Sequence, residues 1–216
     1  MNLIKHPDLL KHLEDKLKGP LPSKEALKMM FPNIKAMPET IPDTVRLSAV
    51  MVLLFIKNNE WHLLAIRRTE DGHAHSGQIG FPGGRYEKED ADLQETALRE
   101  TYEEIGIPPE KIKVIGALSP VYVVVSNFNV FPFVGLIESP ENLVLSVNEV
   151  QAVIEIKLEE LFAPDTKVLT EVVSPAFPEI KRKVNSYVVQ ENVMIWGATA
   201  IMMAELELLL SGNTNN

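Results

Sequence analysis

The chain of 216 residues has no cysteine, no long apolar run and fewer basic than acidic residues. The absence of cysteine excludes disulfides and thiolate chemistry, and it favours a reducing compartment. The longest uninterrupted apolar run is Ala49–Ile56, far shorter than the roughly 20 residues needed to span a bilayer. No N-terminal segment shows the charged, apolar and small-residue order of a signal peptide. We therefore expect a cytoplasmic protein without a membrane partner.

The charge balance is acidic, with 30 Asp and Glu residues against 21 Lys and Arg and a net charge of -9. This sign disfavours nucleic acid as a partner, because nucleic-acid binding depends on basic residues that neutralise phosphates. An anionic small molecule would need a local basic patch on such a surface. The length suits one medium domain with a substantial core.

The apolar pattern divides the chain into two regions. Residues 1–40 are predicted to form a helical extension and linker, and residues 41–216 the main domain. In the extension, a leucine stripe predicts one helix ended by Gly19-Pro20, a second helix follows Ser23, and a proline-rich stretch makes the connection. The extension is also a candidate dimer contact, so a homodimer is one expected assembly.

The main domain alternates short apolar segments with turns. An Asn58-Asn59 turn separates the first two segments, and a final helix is predicted at 197–210. Strands dominating around two buried helices indicate an α+β fold. The predicted strands are Leu47–Ile56, Trp61–Arg67, Val114–Leu118, Val121–Val125, Val130–Ile137, Val150–Leu158 and Asn185–Gln190.

Three carboxylates are crowded onto the end of one predicted helix. Glu100 and Glu104 lie about 40° apart around the helix axis, and Glu103 lies about 60° from Glu100 on the other side. Like charges at these spacings repel, and acids in the last turn oppose the helix dipole. A divalent cation would reverse both penalties, since hard ions such as Mg²⁺ prefer carboxylate oxygens. The alternative is a solvated acidic helix face.

The limits of this helix follow from its flanking residues. Asp92 with Glu95 three residues later is a capping-box-like start, and Gly106 is a natural end, so the helix is predicted over Leu93–Ile105. Arg99 is spaced to pair with Glu95 or with Glu103, and its expected role is to steer Glu103. The glycines at 83 and 84 allow the backbone to approach a ligand or the helix closely.

Gly84–Ile107 resembles the Nudix box, whose pattern is Gx5Ex7REUxEExGU with U aliphatic. Three features depart: Asp90 stands in place of the first Glu, eight rather than seven residues separate it from Arg99, and Thr101 replaces an aliphatic residue. The resemblance implies an α/β/α sandwich with a mixed sheet, and a Mg²⁺- or Mn²⁺-dependent hydrolase of a diphosphate linked to another moiety. The matching residues are Arg99, Glu100, Glu103, Glu104, Gly106 and Ile107.

An upstream motif narrows the implied substrate. The segment LLaiRrtedghahsGqigFPGG, Leu63–Gly84, resembles the signature LLTxRSAxxxRxxxGxxxFPGG of the coenzyme A pyrophosphatase branch of Nudix proteins. The run Trp196–Ala200 resembles the same branch. The matching residues are Leu63, Leu64, Arg67, Gly77, Phe81, Pro82, Gly83 and Gly84, and the departing ones are Ala65, Arg68, Thr69 and His73.

The resemblance also implies roles for individual residues. Glu100 and Glu104, aided by Glu103, would hold the metal ion against the diphosphate of coenzyme A or an acyl-CoA, giving 3′,5′-ADP and 4′-phosphopantetheine or its acyl form. Glu149, just before a predicted strand, is a candidate base or metal ligand, with a solvent-facing loop acid as the alternative. The predicted substrate contacts are Arg67, Arg68, His73, Gly77, Phe81, Gly83 and Gly84.

Two other functions stay open. One is a Nudix hydrolase of ADP-ribose or NADH, because His73 replaces the motif arginine and histidine is the poorer bidentate phosphate ligand. The other is a nucleotide-binding regulatory protein that has lost the reaction, against which the intact REtyEE run argues. Met202 and Met203 are predicted to pack the last helix into the core rather than to touch a ligand.

Overall fold

The computed structural model describes residues 8–32, 41–70, 76–174, 177–190 and 193–211. His73, Pro7 and most of the proline-rich linker lie outside the described residues. The helices are α1 Leu9–Lys16, α2 Ser23–Met30, α3 Leu93–Ile105, α4 Leu158–Leu161 and α5 Gly197–Ser211. The strands are β1 Arg46–Lys57, β2 Glu60–Arg68, β3 Ile79–Gly80, β4 Gly83–Arg85, β5 Lys113–Ala117, β6 Val121–Val123, β7 Phe128–Leu136, β8 Val150–Lys157, β9 Lys167–Ser174, β10 Phe177–Gln190 and β11 Val193–Ile195.

Within the described ranges, the strands form one mixed eight-stranded sheet and one three-stranded sheet. The large sheet runs β3-β2-β1-β7-β5, with β4 beside β1, β6 beside β7 and β8 beside β2. Strands β1 and β7 are parallel, and the other recorded pairs are antiparallel. The turn at Asn58-Asn59 joins β1 to β2 with positive φ at both residues, as a tight hairpin requires.

Strand β1 is apolar over most of its length because both of its faces are covered. Successive side chains of a strand point to opposite faces, so one half of the run packs under α3 and the other half under α5. Ala49, Met51, Leu53 and Phe55 belong to the cluster on the α3 face. Val52 and Leu54 belong to the cluster on the α5 face. The sheet therefore lies between two helical layers, which confirms the expected α+β sandwich with a mixed sheet.

The N-terminal helices pack against α5. The side chains of Leu9, Leu13, Ala26 and Met30 are fully buried in the same cluster as that helix. His12 Nε2 lies 3.0 Å from the carbonyl oxygen of Leu209. Met202 and Met203 are also buried there, as predicted. None of the described helices has the length and apolar character that crossing a bilayer demands.

The three-stranded sheet was only partly predicted. Its β10 begins at Phe177, whereas the apolar pattern indicated a strand only from Asn185, because Lys181, Arg182 and Lys183 interrupt that pattern. The sheet is tied to α5 by polar contacts, which an apolar pattern does not reveal. Glu207 accepts hydrogen bonds from the hydroxyl of Tyr187 and from Lys167 Nζ, each at 2.6 Å.

Replacing Leu13 by Ala tests whether α1 is an integral part of the core. The change removes a fully buried side chain and should lower the free energy of unfolding by about 2–5 kcal/mol. The measurement is chemical denaturation followed by circular dichroism, with the exposed Lys11→Ala on the same helix as the matched control. Equal losses in the two variants would contradict the packing of α1 described above.

Candidate active site

Helix α3 begins and ends where its flanking residues predict. The carboxylate of Asp92 accepts a hydrogen bond from the backbone N–H of Glu95 at 2.8 Å, which caps the first turn. Gly106 has a φ of 78° and donates its N–H to the carbonyl of Tyr102 at 2.9 Å, which closes the last turn. These two caps set which residues of the acidic run share a face.

Glu95 does not play the predicted part of a partner for Arg99. Its carboxylate instead accepts a hydrogen bond from the backbone N–H of Ala91 at 2.6 Å. The reason is its position in the first turn, where a glutamate can reach back to an N–H group that the helix leaves unpaired.

Arg99 forms its main ion pair with Asp90. Its Nε and Nη2 lie 2.8 and 3.0 Å from the two carboxylate oxygens, which is a bidentate arrangement. Asp90 is 5% exposed and also accepts hydrogen bonds from the Thr96 hydroxyl and the Glu87 N–H. The Arg99 guanidinium holds the pKa of Asp90 well below its usual range. In the sequence, Asp90 is only a departure from the Nudix box. The loop nevertheless brings its carboxylate into contact with Arg99, although one extra residue separates them in the chain.

The same guanidinium reaches two of the acids predicted to bind metal. Arg99 Nη1 donates to Glu100 at 3.0 Å and to Glu103 at 3.1 Å, and Nη2 donates to the carbonyl of Arg85 at 3.1 Å. Arg99 therefore contacts Glu103, and it also orients Glu100 and the loop that precedes the helix. Glu103 keeps 53% of its side chain exposed, whereas Glu100 keeps 15%.

Glu104 is the most enclosed carboxylate of the site, at 2% exposure. One oxygen accepts a hydrogen bond from the Gly83 N–H at 2.9 Å, and the other lies 3.5 Å from Nη1 of Arg68. Burial raises the pKa of Glu104 to about 7, the Gly83 N–H and Arg68 oppose that rise, and the charges of Glu100 and Glu149 add to it. The carboxylate is thus held in place at a cost in solvation of its charge.

The glycine turn at 83 and 84 packs directly against these acids. A Cβ on Gly84 would collide with the carboxylate of Glu100, and Gly83 has a φ of 152° where a Cβ would collide with the carbonyl oxygen of Ala49. The sequence left open whether these glycines let the backbone approach a ligand or the helix, and the structure shows a close approach to α3. Burial raises the pKa of Glu100 too, and the Arg99 guanidinium opposes that rise.

Glu149 reaches the same site from the loop before β8. Its carbonyl accepts a hydrogen bond from the Thr69 N–H at 3.0 Å, and the Thr69 hydroxyl donates to the Asn148 carbonyl at 2.8 Å. The charge of Glu149 raises the pKa of both Glu100 and Glu104, although its own side chain is exposed. The end of β2 and the loop before β8 are far apart in the chain but are hydrogen-bonded to each other, and this brings the carboxylate of Glu149 close to α3.

The two arginines at the end of β2 leave the strand on opposite faces. Alternation places Arg68 on the α3 face with Leu64 and Ile66, and Arg67 on the other face. These two predicted substrate contacts therefore start on opposite faces of the sheet, and Arg68 approaches Glu104.

The remaining predicted substrate contacts occupy different surroundings. Gly77 has a φ of 68° and donates its N–H to the Thr69 carbonyl at 3.2 Å, and the contact predicted for His73 stays a prediction. Phe81 is 4% exposed and packs in the cluster on the α5 face. Its described contacts are thus those of a core residue.

The donor chemistry of the site suits a hard divalent cation. The carboxylates of Glu100 and Glu104 are both largely removed from water. The charge of Glu100 raises the pKa of Glu104, the charge of Glu149 raises the pKa of both, and a cation would reverse these shifts. As the side chains stand, no group of three or more His, Cys, Asp or Glu residues in the described ranges is arranged to hold an ion. Cationic side chains already contact these carboxylates, since Arg99 pairs with Glu100 and Glu103 and Arg68 faces Glu104.

Replacing Asp90 by Asn should destabilise the fold, because it removes the charge that the Arg99 guanidinium is bound to. The expected loss in unfolding free energy is about 3 kcal/mol, measured by denaturant titration at pH 7. Glu89→Gln removes the same charge from an exposed neighbour and serves as the control. A loss in Asp90→Asn no larger than in this control would refute the structural role of the pair.

The stability of the metal-free protein should depend on pH through Glu104. Its pKa is raised from 4.5 to about 7, so the folded state binds more protons than the unfolded chain between these values. The unfolding free energy therefore falls as pH rises through this window, by a total on the order of 3 kcal/mol. Denaturation in EDTA across pH 4.5 to 8 should show this fall in the wild-type protein and a flatter profile in Glu104→Gln.

Glu103→Gln is the matched control for that profile, because it removes a carboxylate on the same helix whose side chain is 53% exposed. It should keep the wild-type pH dependence. An unchanged profile in Glu104→Gln would show that this carboxyl is not the group responsible.

Comparison with known proteins identifies the family. The NUDIX domain matches residues 45–174. The chain is 38% identical over 154 residues to the uncharacterized Nudix hydrolase NudL of Pectobacterium atrosepticum, covering 69% of this chain and 75% of that protein. It is 32% identical over 207 residues to Nudix hydrolase 3 of Caenorhabditis elegans, covering 87% and 86%.

A solved structure supports the same conclusion for the fold. The MutT/nudix family protein from Enterococcus faecalis aligns with a TM-score of 0.52 at 15% identity, covering 87% of this chain and 73% of that one. Nudix enzymes generally use divalent metal ions, in keeping with the carboxylates at the end of α3. The sequence match, the sandwich fold and the acidic helix together show that this chain belongs to the Nudix hydrolase family.

Proposed function

We propose that this hydrolase cleaves the diphosphate of coenzyme A or an acyl-CoA, releasing 3′,5′-ADP and 4′-phosphopantetheine or its acyl form. The observation that carries the proposal is that Gly83, which matches the coenzyme A motif, donates its N–H to the buried carboxylate of Glu104. Arg68 approaches Glu104 from the end of β2, and the Gly83 N–H contacts it from the glycine turn. The segment that resembles the coenzyme A branch thus lies against the helix whose acids are the proposed metal ligands.

Glu100 and Glu104, with the more exposed Glu103, are the residues that would hold Mg²⁺ or Mn²⁺. A divalent cation bound there supplies neutralisation of the negative charge on the diphosphate oxygens. The protein's own part is to hold the carboxylate oxygens of these three acids in place. The Gly83 N–H donates to Glu104. Arg99, which is paired with Asp90, donates to the carboxylates of Glu100 and Glu103.

Glu149 is the proposed base for the attacking water. Its exposed side chain can reach a solvent molecule, and it lies close enough for its charge to act on Glu100 and Glu104. It would take the proton as the water oxygen bonds to phosphorus and the bridging P–O bond breaks. Arg68, on the α3 face, is the proposed contact for an anionic phosphate, and the role of Arg67 stays a prediction from the motif.

The test is chromatography of products after incubation of the purified protein and Mg²⁺ with coenzyme A, ADP-ribose and NADH in parallel. We expect 3′,5′-ADP to form preferentially from coenzyme A. Glu104→Gln should lower kcat/KM by about 100-fold or more, because it removes a negative ligand from the site. Glu95→Gln changes an acid at the other end of the same helix and should leave turnover near the wild-type value.

Each other outcome selects a different function. Preferential cleavage of ADP-ribose or NADH would support diphosphate hydrolysis but would replace coenzyme A as the substrate. These two compounds are included because His73 stands where the coenzyme A motif has arginine. Full activity of Glu104→Gln at saturating Mg²⁺ would overturn the metal assignment. No cleavage of any of the three compounds would favour the nucleotide-binding regulatory alternative.

A further inference from the structure

Arg68 is held at the site by its backbone, while its charged end remains accessible. Its N–H donates to the carbonyl of Gln78 at 3.0 Å, and the next residue, Thr69, is bonded to Asn148 and Glu149. The side chain is 40% exposed and approaches Glu104, which is 2% exposed, from the solvent side. An arginine with a fixed Cα and an accessible guanidinium can change partner without any change in the fold.

The pairing of β2 with β8 also favours this placement. The register passes from Arg67 opposite Ala152 to Arg68 opposite Val150, so Gln151 is left out of the ladder. An irregularity of this kind bends a strand locally and redirects the residues at its end. Here it lies between Arg68 and the loop of Glu149, at the point where both strands meet α3.

The two arginines of the site bind their acids in different ways. Arg99 grips Asp90 through two short contacts at 2.8 and 3.0 Å, deep in the loop. Arg68 lies 3.5 Å from Glu104 through a single nitrogen. The first geometry is that of a permanent ion pair, and the second is that of one which solvent or another cation can replace.

The charges around Glu104 explain why a cation beside its ionised carboxylate is favourable. Glu100 and Glu149 act on it with the same sign of charge, and Arg68 is the cationic group that acts on it. A metal ion at the same carboxylate would compete with Arg68, because two cations close to one acid repel each other. Once displaced, the guanidinium would stand beside the carboxylates with its positive charge unpaired.

We propose that Arg68 is the counter-ion of Glu104 in the metal-free enzyme, is displaced when a divalent cation binds, and then contacts a phosphate of the substrate. This inference rests on the proposed function in one respect, that Glu104 is a metal ligand. It goes beyond it by coupling metal binding to the delivery of a phosphate-binding group. Arg68 stands where the coenzyme A motif has serine, so the device belongs to this chain's own sequence.

The test compares Arg68→Gln with the wild-type full-length protein after removal of metal, using Mn²⁺ alone as the probe and electron paramagnetic resonance as the readout. Removing the competing cation should tighten Mn²⁺ binding by about 3- to 5-fold. In the same variant, kcat/KM for the substrate should fall, since the phosphate loses a contact. Tighter metal binding together with weaker catalysis is a combination that a merely structural role would not produce.

Two control variants separate this role from a general effect of charge. Arg182→Gln makes the same change at an exposed position of β10 and should leave Mn²⁺ affinity unchanged. Arg68→Lys keeps the charge and should restore Mn²⁺ affinity to near the wild-type value. In EDTA at pH 8, introducing Arg68→Gln into the wild-type protein should lower the melting temperature. Introducing it into Glu104→Gln should leave the melting temperature unchanged, because the ion pair is already broken there.

Unchanged or weaker Mn²⁺ binding by Arg68→Gln would overturn the proposal while leaving the metal site itself intact. A different result would mark a failure of the proposed function. If Glu104→Gln bound Mn²⁺ as tightly as the wild-type protein does, the assignment of Glu104 as a ligand would fall, and the role of Arg68 would fall with it.

Discussion

The burial of negative charge at the C-terminal end of α3 is the constraint around which the site is organised. Glu104 is 2% exposed and lies where the helix dipole is also negative. Such a carboxylate persists in a fold only when donors and cations surround it. The Gly83 N–H and the Arg68 guanidinium do so here. The turn needs glycine at both positions, because a Cβ on Gly83 would collide with the Ala49 carbonyl oxygen and a Cβ on Gly84 with the Glu100 carboxylate.

The sheet turns this local arrangement into a rigid one. Strand β1 is covered on both faces, so α3 packs on one side while α5 and the N-terminal helices pack on the other. The carbonyl of Ala49, in the middle of that strand, limits the glycine turn from below, and the turn in turn positions Glu104. Movement of the acids is thereby restricted to their side chains.

Two kinds of ion pair then divide the work of the site. The Asp90–Arg99 pair is bidentate and enclosed, and it ties the loop to the helix. The Arg68–Glu104 pair is longer and borders solvent. Because a buried bidentate pair is costly to break and an exposed single contact is not, the first suits architecture and the second suits exchange with a ligand.

The amino-acid pattern was sufficient for features that depend on neighbours in the chain. The caps at Asp92 and Gly106 define α3, the Asn58-Asn59 turn defines a hairpin, and the apolar run of β1 predicts a strand. Local hydrogen bonds and side-chain periodicity determine each of these. Strands β3, β4, β9 and β11 were not predicted; β4, for example, consists of two glycines and an arginine, which form a strand by pairing with β1.

The sequence by itself determined the acidic face of α3, its limits, and the family to which the chain belongs. Only the tertiary structure decided that Arg99 binds Asp90 rather than Glu95, that Arg67 and Arg68 lie on opposite faces, and that Glu149 joins the site. The physical reason is that a charge selects its partner by distance and burial in space. Spacing along the chain sets those quantities within one helix, but not between a loop, a strand end and a helix that meet only after folding.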